Sequence, residues 1–230
     1  MPEIDCNEKD TRDINRQIKA LVADGEAEIV VRNPAARHNI AVGLIQPCRV
    51  LIDGSVGYYC VGLSDGPDVE IKGSAGWGLA ENLMSGQVVL HGNAGNSAGA
   101  TMHGGLVAVH GHAGARAGIA MKGGTLIIGG NAGYMTGFMM QKGSMIICGD
   151  AGEALGDSIY DGRIFVGGEV ASFGNDAVIE DMTKDDETFL RETLENSGVK
   201  APNSGFKKVV SGKQLYNFDK KDFARWRHAL

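Results

Sequence analysis

Residues 86–142 read GQVVLHGNAGNSAGATMHG, GLVAVHGHAGARAGIAMKG and GTLIIGGNAGYMTGFMMQK, three consecutive blocks of nineteen residues whose glycine, small and apolar positions coincide. Outward from these blocks the period continues: Gly54, Gly73, Gly92, Gly111, Gly130, Gly149 and Gly168 recur every nineteen residues without interruption. Gly57, Gly76, Gly95, Gly114, Gly133 and Gly152 follow three residues later, and Gly86, Gly105, Gly124, Gly143 and Gly162 make a third series. A fixed period of this length marks a stacked supersecondary unit, and the glycines are predicted to be its corners.

Ahead of each first corner stands a short β-type run with alternating apolar residues: Val69/Ile71, Val88/Leu90, Val107/Val109, Leu126/Ile128, Met145/Ile147 and Ile164/Val166. The pairs point inward. Each run is too short to stand alone and must bond to the equivalent run one cycle away, which makes the sheet parallel and the coils coaxial. The predicted fold is all-β, a parallel β-helix of about seven coils. Parallel crossovers are right-handed almost without exception; left-handed hexapeptide solenoids depart from the rule, but with a period of about eighteen. Stacking turns equivalent positions into ladders. Ala75, Ala94, Ala113, Ala132 and Ala151 form one where only a small side chain fits, and Leu83, Met102, Met121, Met140 and Ile159 form another that fills the core.

The ends must differ from the middle, because terminal coils would expose unpaired edges. Ile14, Ile18, Leu21 and Val22 recur at helical spacing after Asp10 and Thr11, with Gly25 to end the helix. At the far end Thr183 precedes Asp185, Asp186 and Glu187 in an acid-first helix that closes at Gly198. The predicted division is a helical cap over 1–27, the β-helix over 28–182, and a helix with a basic tail over 183–230.

The chain has 230 residues, 43% apolar, with net charge −6, and can bury a sizeable core. Glycine at 35 against proline at 5 speaks for regular turns and against disorder. No apolar run approaches the roughly eighteen residues of a membrane span, and Met1 to Arg12 is unlike a signal peptide, so a soluble cytoplasmic protein is expected. Cys6, Cys48, Cys60 and Cys148 are scattered with no C-x-x-C pair, as expected of reduced thiols, and Cys60 and Cys148, which lie within the repeats, are expected to be buried as small hydrophobes.

His91 and His110 share a cycle position, and His112 lies two residues along. Imidazoles on adjacent rigid coils are a candidate metal site; the competing reading is an exterior ladder, since Asp53, Lys72, Gly129, Cys148 and Gly167 hold the same position elsewhere. The G-x-x-G spacing is neither a dinucleotide fingerprint nor a P-loop. The outward strand position reads Val89, Ala108, Ile127, Ile146 and Phe165, an apolar ladder expected to be covered. A partner packing along the rod is expected there, with a packed terminal segment as the intramolecular alternative. From Phe206 onward seven Lys and Arg face two Asp, a net +5, with Phe218, Phe223 and Trp226 interspersed. This composition suits an arm that anchors on another subunit; the acidic whole chain disfavours nucleic acid.

The G-x-x-G coils, such as Gly111-His112-Ala113-Gly114, resemble the GXGXG domain that ends the large subunit of glutamate synthase, over about residues 28–182. The stretch Asn33-Pro34-Ala35-Ala36-Arg37-His38-Asn39 and the freestanding length look more like the separate subunit of N-methylglutamate synthase; the β-helical subunit of formylmethanofuran dehydrogenase is a third relative. The resemblance implies a right-handed β-helix without catalytic residues or a cofactor of its own. It would join a glutamine-amidotransferase-like subunit to a glutamate-synthase-like subunit that holds FMN and an iron–sulfur cluster. In the methylamine version, methylamine and L-glutamate give N-methyl-L-glutamate and ammonia. A split glutamate synthase and a formylmethanofuran-type subunit remain as alternatives. From another class, so does an autonomous metal-dependent β-helix enzyme using His91, His110 and His112.

Overall fold

A computed structural model describes residues 1–215 of the chain. In chain order the elements are β1 (Glu3–Asp5), α1 (Thr11–Ala23), β2 (Glu28–Arg32), β3 (Arg49–Asp53), β4 (Asp65–Ile71), β5 (Ser85–Leu90), β6 (Leu106–Val109), β7 (Lys122–Ile128), β8 (Lys142–Ile147), β9 (Arg163–Val166), β10 (Ala177–Glu180), α2 (Lys184–Ser197) and β11 (Lys207–Ser211). They build a right-handed parallel β-helix of about seven coils. Strands β1 to β9 stack in sequence order, and the register advances by one cycle per strand: Val88↔Val107, Val107↔Leu126, Leu126↔Met145, Met145↔Ile164.

A second wall consists of single bridges along Val56, Ala75, Ala94, Ala113, Ala132, Ala151 and Val170. The alanines are at most 8% exposed, so this narrow side admits little more than a methyl group. The third wall is not a strand. Left-handed residues recur at every second position, as at Ser97, Gly99 and Thr101 or Arg116, Gly118 and Ala120, and amides bond alternately to the coils on either side, Gly99 N–H to Leu79 O and Thr101 N–H to Ile119 O (both 2.8 Å). Leu83, Met102, Met121, Met140 and Ile159 leave this wall fully buried.

Close approach between coils, rather than unusual φ, explains most first-series glycines. A Cβ on Gly111 would meet Asn93 Oδ1 and lie 2.7 Å from Gly92 O; on Gly130 it would lie 2.5 Å from His112 Nδ1. The obstructing side chains form a ladder. Ser55 Oγ accepts the Ser74 N–H (3.0 Å), Ser74 Oγ that of Asn93 (3.1 Å), Asn93 Oδ1 that of His112 (2.8 Å), His112 Nδ1 that of Asn131 (2.8 Å), Asn131 Oδ1 that of Asp150 (2.9 Å) and Asp150 Oδ1 that of Glu169 (2.8 Å). Each rung satisfies a corner amide that would otherwise lack a partner, and its acceptor occupies the space a Cβ would need.

At the N-terminal end β1 pairs with β2, and α1, capped by Asp10, buries Ile14 and Ile18 in the core. Asn15 ties α1 to the first coil, donating to Asn39 O (2.6 Å) and accepting the Ala41 N–H (2.8 Å). The far end departs from the sequence expectation. β11 inserts antiparallel between β9 and β10, which ends the sheet, so the basic segment at Lys207 and Lys208 is a strand of the sheet and not the start of a free arm. Helix α2 lies instead along the outer face of the strand wall.

Candidate functional site

Strands β6 to β9 turn Ala108, Ile127, Ile146 and Phe165 outward, and all four are fully buried. Their cover belongs to the same chain: Leu190 and Leu194, one turn apart on α2, pack on them with Val199, Met182, Phe189 and Phe206. The expectation that Ile127, Ile146 and Phe165 meet a partner is therefore corrected. The apolar ladder made a matching cover favourable, and the amphipathic α2 supplies it. Val89, one coil earlier, is only half-buried.

A polar clamp holds α2 down. Thr183 and Asp186 cap each other: Asp186 N–H donates to Thr183 Oγ1 (3.2 Å), and Thr183 N–H to Asp186 Oδ2 (3.0 Å). Asp186 also accepts Arg163 Nη1 (2.9 Å) and Lys208 Nζ (3.0 Å). Burial opposes its ionisation, yet the bonds from Thr183 and Lys208 hold its carboxyl at about 2. The Arg163 guanidinium lies 4.3 Å from the Phe189 ring centroid. Sequence reading found the cap but missed the clamp, because Arg163, Asp186 and Lys208 share no period.

The histidines do not form one group. His91 and His110 stack with centroids 5.1 Å apart, and His91 Nε2 lies 2.9 Å from Glu70 Oε1. Glu70, bonded also to Lys72, is held at about 2 by Lys72 and then His91, while burial and then the nearby His91 lower the pKa of His110. His112 belongs to the acceptor ladder, its Nδ1 committed to Asn131. Among the described residues no three His, Cys, Asp or Glu side chains converge as metal ligands. All four cysteines are buried, and burial raises the thiol pKa of each, that of Cys148 to about 11.

The exposed feature that sequence reading missed is an aromatic stack on the early coils. His38 and Tyr58 stack at 4.4 Å, Tyr58 and Trp77 at 5.3 Å, with Tyr58 47% and Trp77 55% exposed. His38 Nδ1 accepts the Tyr58 N–H (2.8 Å), which fixes the first ring of the stack. Tyr58, Trp77 and Tyr134 are separated by multiples of nineteen, the signal that could have revealed this stripe. A second feature is a cleft of about 830 Å³ between α2 and the segment after it, lined by Met182, Leu190, Leu194, Val199 and Phe206 with Glu187, Arg191 and Glu195 at its edge. No helix among the described residues is long and apolar enough to cross a membrane. Phe218 and Trp226, expected at a partner interface, lie outside the described residues.

The chain is similar to Protein GlxC of Rhizobium meliloti (strain 1021). The two are 43% identical over 85 residues, a stretch covering 36% of this chain and 37% of GlxC. No protein-family model matches the chain.

Proposed function

We propose that this chain is a non-catalytic β-helix subunit of a glutamate-synthase-like complex of the N-methylglutamate synthase type. In this reading it joins a glutamine-amidotransferase-like subunit to a subunit that holds FMN and an iron–sulfur cluster. The assembly would convert methylamine and L-glutamate to N-methyl-L-glutamate and ammonia. The observation that carries the reading is the nineteen-residue glycine coil, which resembles the GXGXG domain; the likeness to GlxC supports the glutamate-synthase-like part of it.

The proposed contact surface is the stack of His38, Tyr58 and Trp77 together with Phe218 and Trp226. Large exposed aromatics on a rigid support are effective anchors, because little side-chain entropy is lost when they are buried. The test is affinity purification of the tagged chain from cells that express the two other subunits, followed by assay of N-methylglutamate formation. Recovery of both subunits, and their loss in a Tyr58→Ala/Trp77→Ala variant with an unchanged melt, supports the proposal. Purification of the wild-type chain alone from such cells overturns it.

A further inference from the structure

On the outer face of the strand wall, beside the Asp186 clamp, lies a cleft of about 440 Å³. Four cationic side chains line it, Lys142, Arg163, Lys208 and Lys213, together with the carboxylates of Asp161 and Glu180. Its volume falls within the roughly 300–1,000 Å³ of small-molecule sites.

The charges divide into two sets. Lys208 Nζ meets Glu180 (2.7 Å) and Asp186 (3.0 Å), and Arg163 Nη1 meets Asp186 (2.9 Å), so these two cations and two carboxylates cancel. Lys142 and Lys213 are exposed, and no carboxylate among the described residues pairs with either. Lys122 is equally unpaired and stands opposite Lys142 on the adjacent strand. Like charges at facing positions repel. Three ammonium groups thus share one corner of an acidic chain with Asp161 alone to offset them, an excess of two charges. Hydrogen-bond capacity is left over as well. Ser144 Oγ accepts from Arg163 Nε (2.9 Å) and keeps its hydroxyl hydrogen to donate, and Arg163 Nη2 has no acceptor among the described residues.

We propose that this cleft binds the phosphate group of a small organic phosphate, held by Lys142, Lys213, Arg163 Nη2 and the Ser144 hydroxyl. A phosphate monoester carries about −1.5 to −2 at pH 7 and three strong acceptor oxygens, which match the excess charge and the unused donors. A monocarboxylate brings one charge and leaves half of the excess in place. The inference does not depend on the subunit reading above.

The test is NMR titration of the isotope-labelled full chain with glycerol phosphate, inorganic phosphate and acetate at one ionic strength. Saturable shifts of the Gly143, Ser144 and Gly162 amides are expected, with glycerol phosphate binding tightest. Lys142→Gln and Lys213→Gln, both changes of exposed side chains, should each weaken binding about tenfold, whereas Lys19→Gln on α1 should not. No saturation by about 20 mM phosphate overturns the proposal, as does a response unchanged in the Lys142→Gln/Lys213→Gln chain. Equal affinity for inorganic phosphate overturns the organic ligand, and acetate binding as tightly overturns phosphate in favour of carboxylates. Shifts at Gly143 and Gly162 that appear only when another subunit is added overturn it in favour of an acidic partner surface.

Discussion

Replacing Asp186 by Asn removes one charge from beneath α2 with little change of shape. The side chain is 3% exposed and faces Arg163 and Lys208 while completing the cap with Thr183. Its carboxyl is held at about 2, close to two units below the ordinary value. At about 1.4 kcal/mol per unit, ionised Asp186 contributes on the order of 2 kcal/mol to folding. Lys208 keeps Glu180 at 2.7 Å, so the loss should not approach that of an orphaned buried charge. Urea unfolding at pH 7 should therefore show Asp186→Asn less stable by about 2 kcal/mol. The folded pKa is depressed, so the contribution is fully present above the unfolded value near 4 and is lost as pH falls through about 2. The gap between wild type and variant should accordingly narrow between those two pH values. A variant within about 0.5 kcal/mol of wild type at pH 7, the range of an ordinary surface change, refutes the clamp.

Ile146→Glu places a charge on the fully buried outer face of β8 under α2, and a thermal melt should show a loss of about 3 kcal/mol or more; an unchanged melt would return that ladder to a partner. Gly130→Ala should cost about 1–3 kcal/mol in chemical denaturation, because its Cβ would sit 2.5 Å from His112 Nδ1; wild-type stability would contradict the close approach. His112→Leu leaves the Asn131 N–H without its acceptor and should cost about 1 kcal/mol, whereas His112→Asn, the residue type found at the two neighbouring rungs, should cost less. Equal losses for the two variants would mean that the ladder contributes nothing.

What could be read in the sequence was whatever repeats. The glycine series, the inward pairs from Val69/Ile71 to Ile164/Val166, and the alanine and methionine ladders each recur at a fixed interval, and stacking forces residues at one position into one environment. Both helices could also be read, because Asp10, Thr183 and Gly198 are local capping signals. The outward ladder was correctly expected to be covered, but periodicity says nothing about which segment covers it; Leu190 and Leu194 decide that from outside the repeat. The return of β11 between β9 and β10 was hidden for the same reason, since Lys207–Ser211 is short, lysine-bearing and antiparallel to everything before it. His112 was grouped with His91 and His110 by proximity along the strand line, whereas its hydrogen bond places it with Asn93 and Asn131.

The central claim is that this rod works as one subunit of a glutamate-synthase-like complex. Its most direct test is native mass spectrometry of the tagged chain purified from the cells that produce it. The account expects an assembly whose mass includes a glutamine-amidotransferase-like and a flavin-bearing iron–sulfur subunit, and which forms N-methylglutamate from methylamine and L-glutamate. A chain recovered at its own mass of 24.2 kDa, or as copies of itself alone, would contradict it.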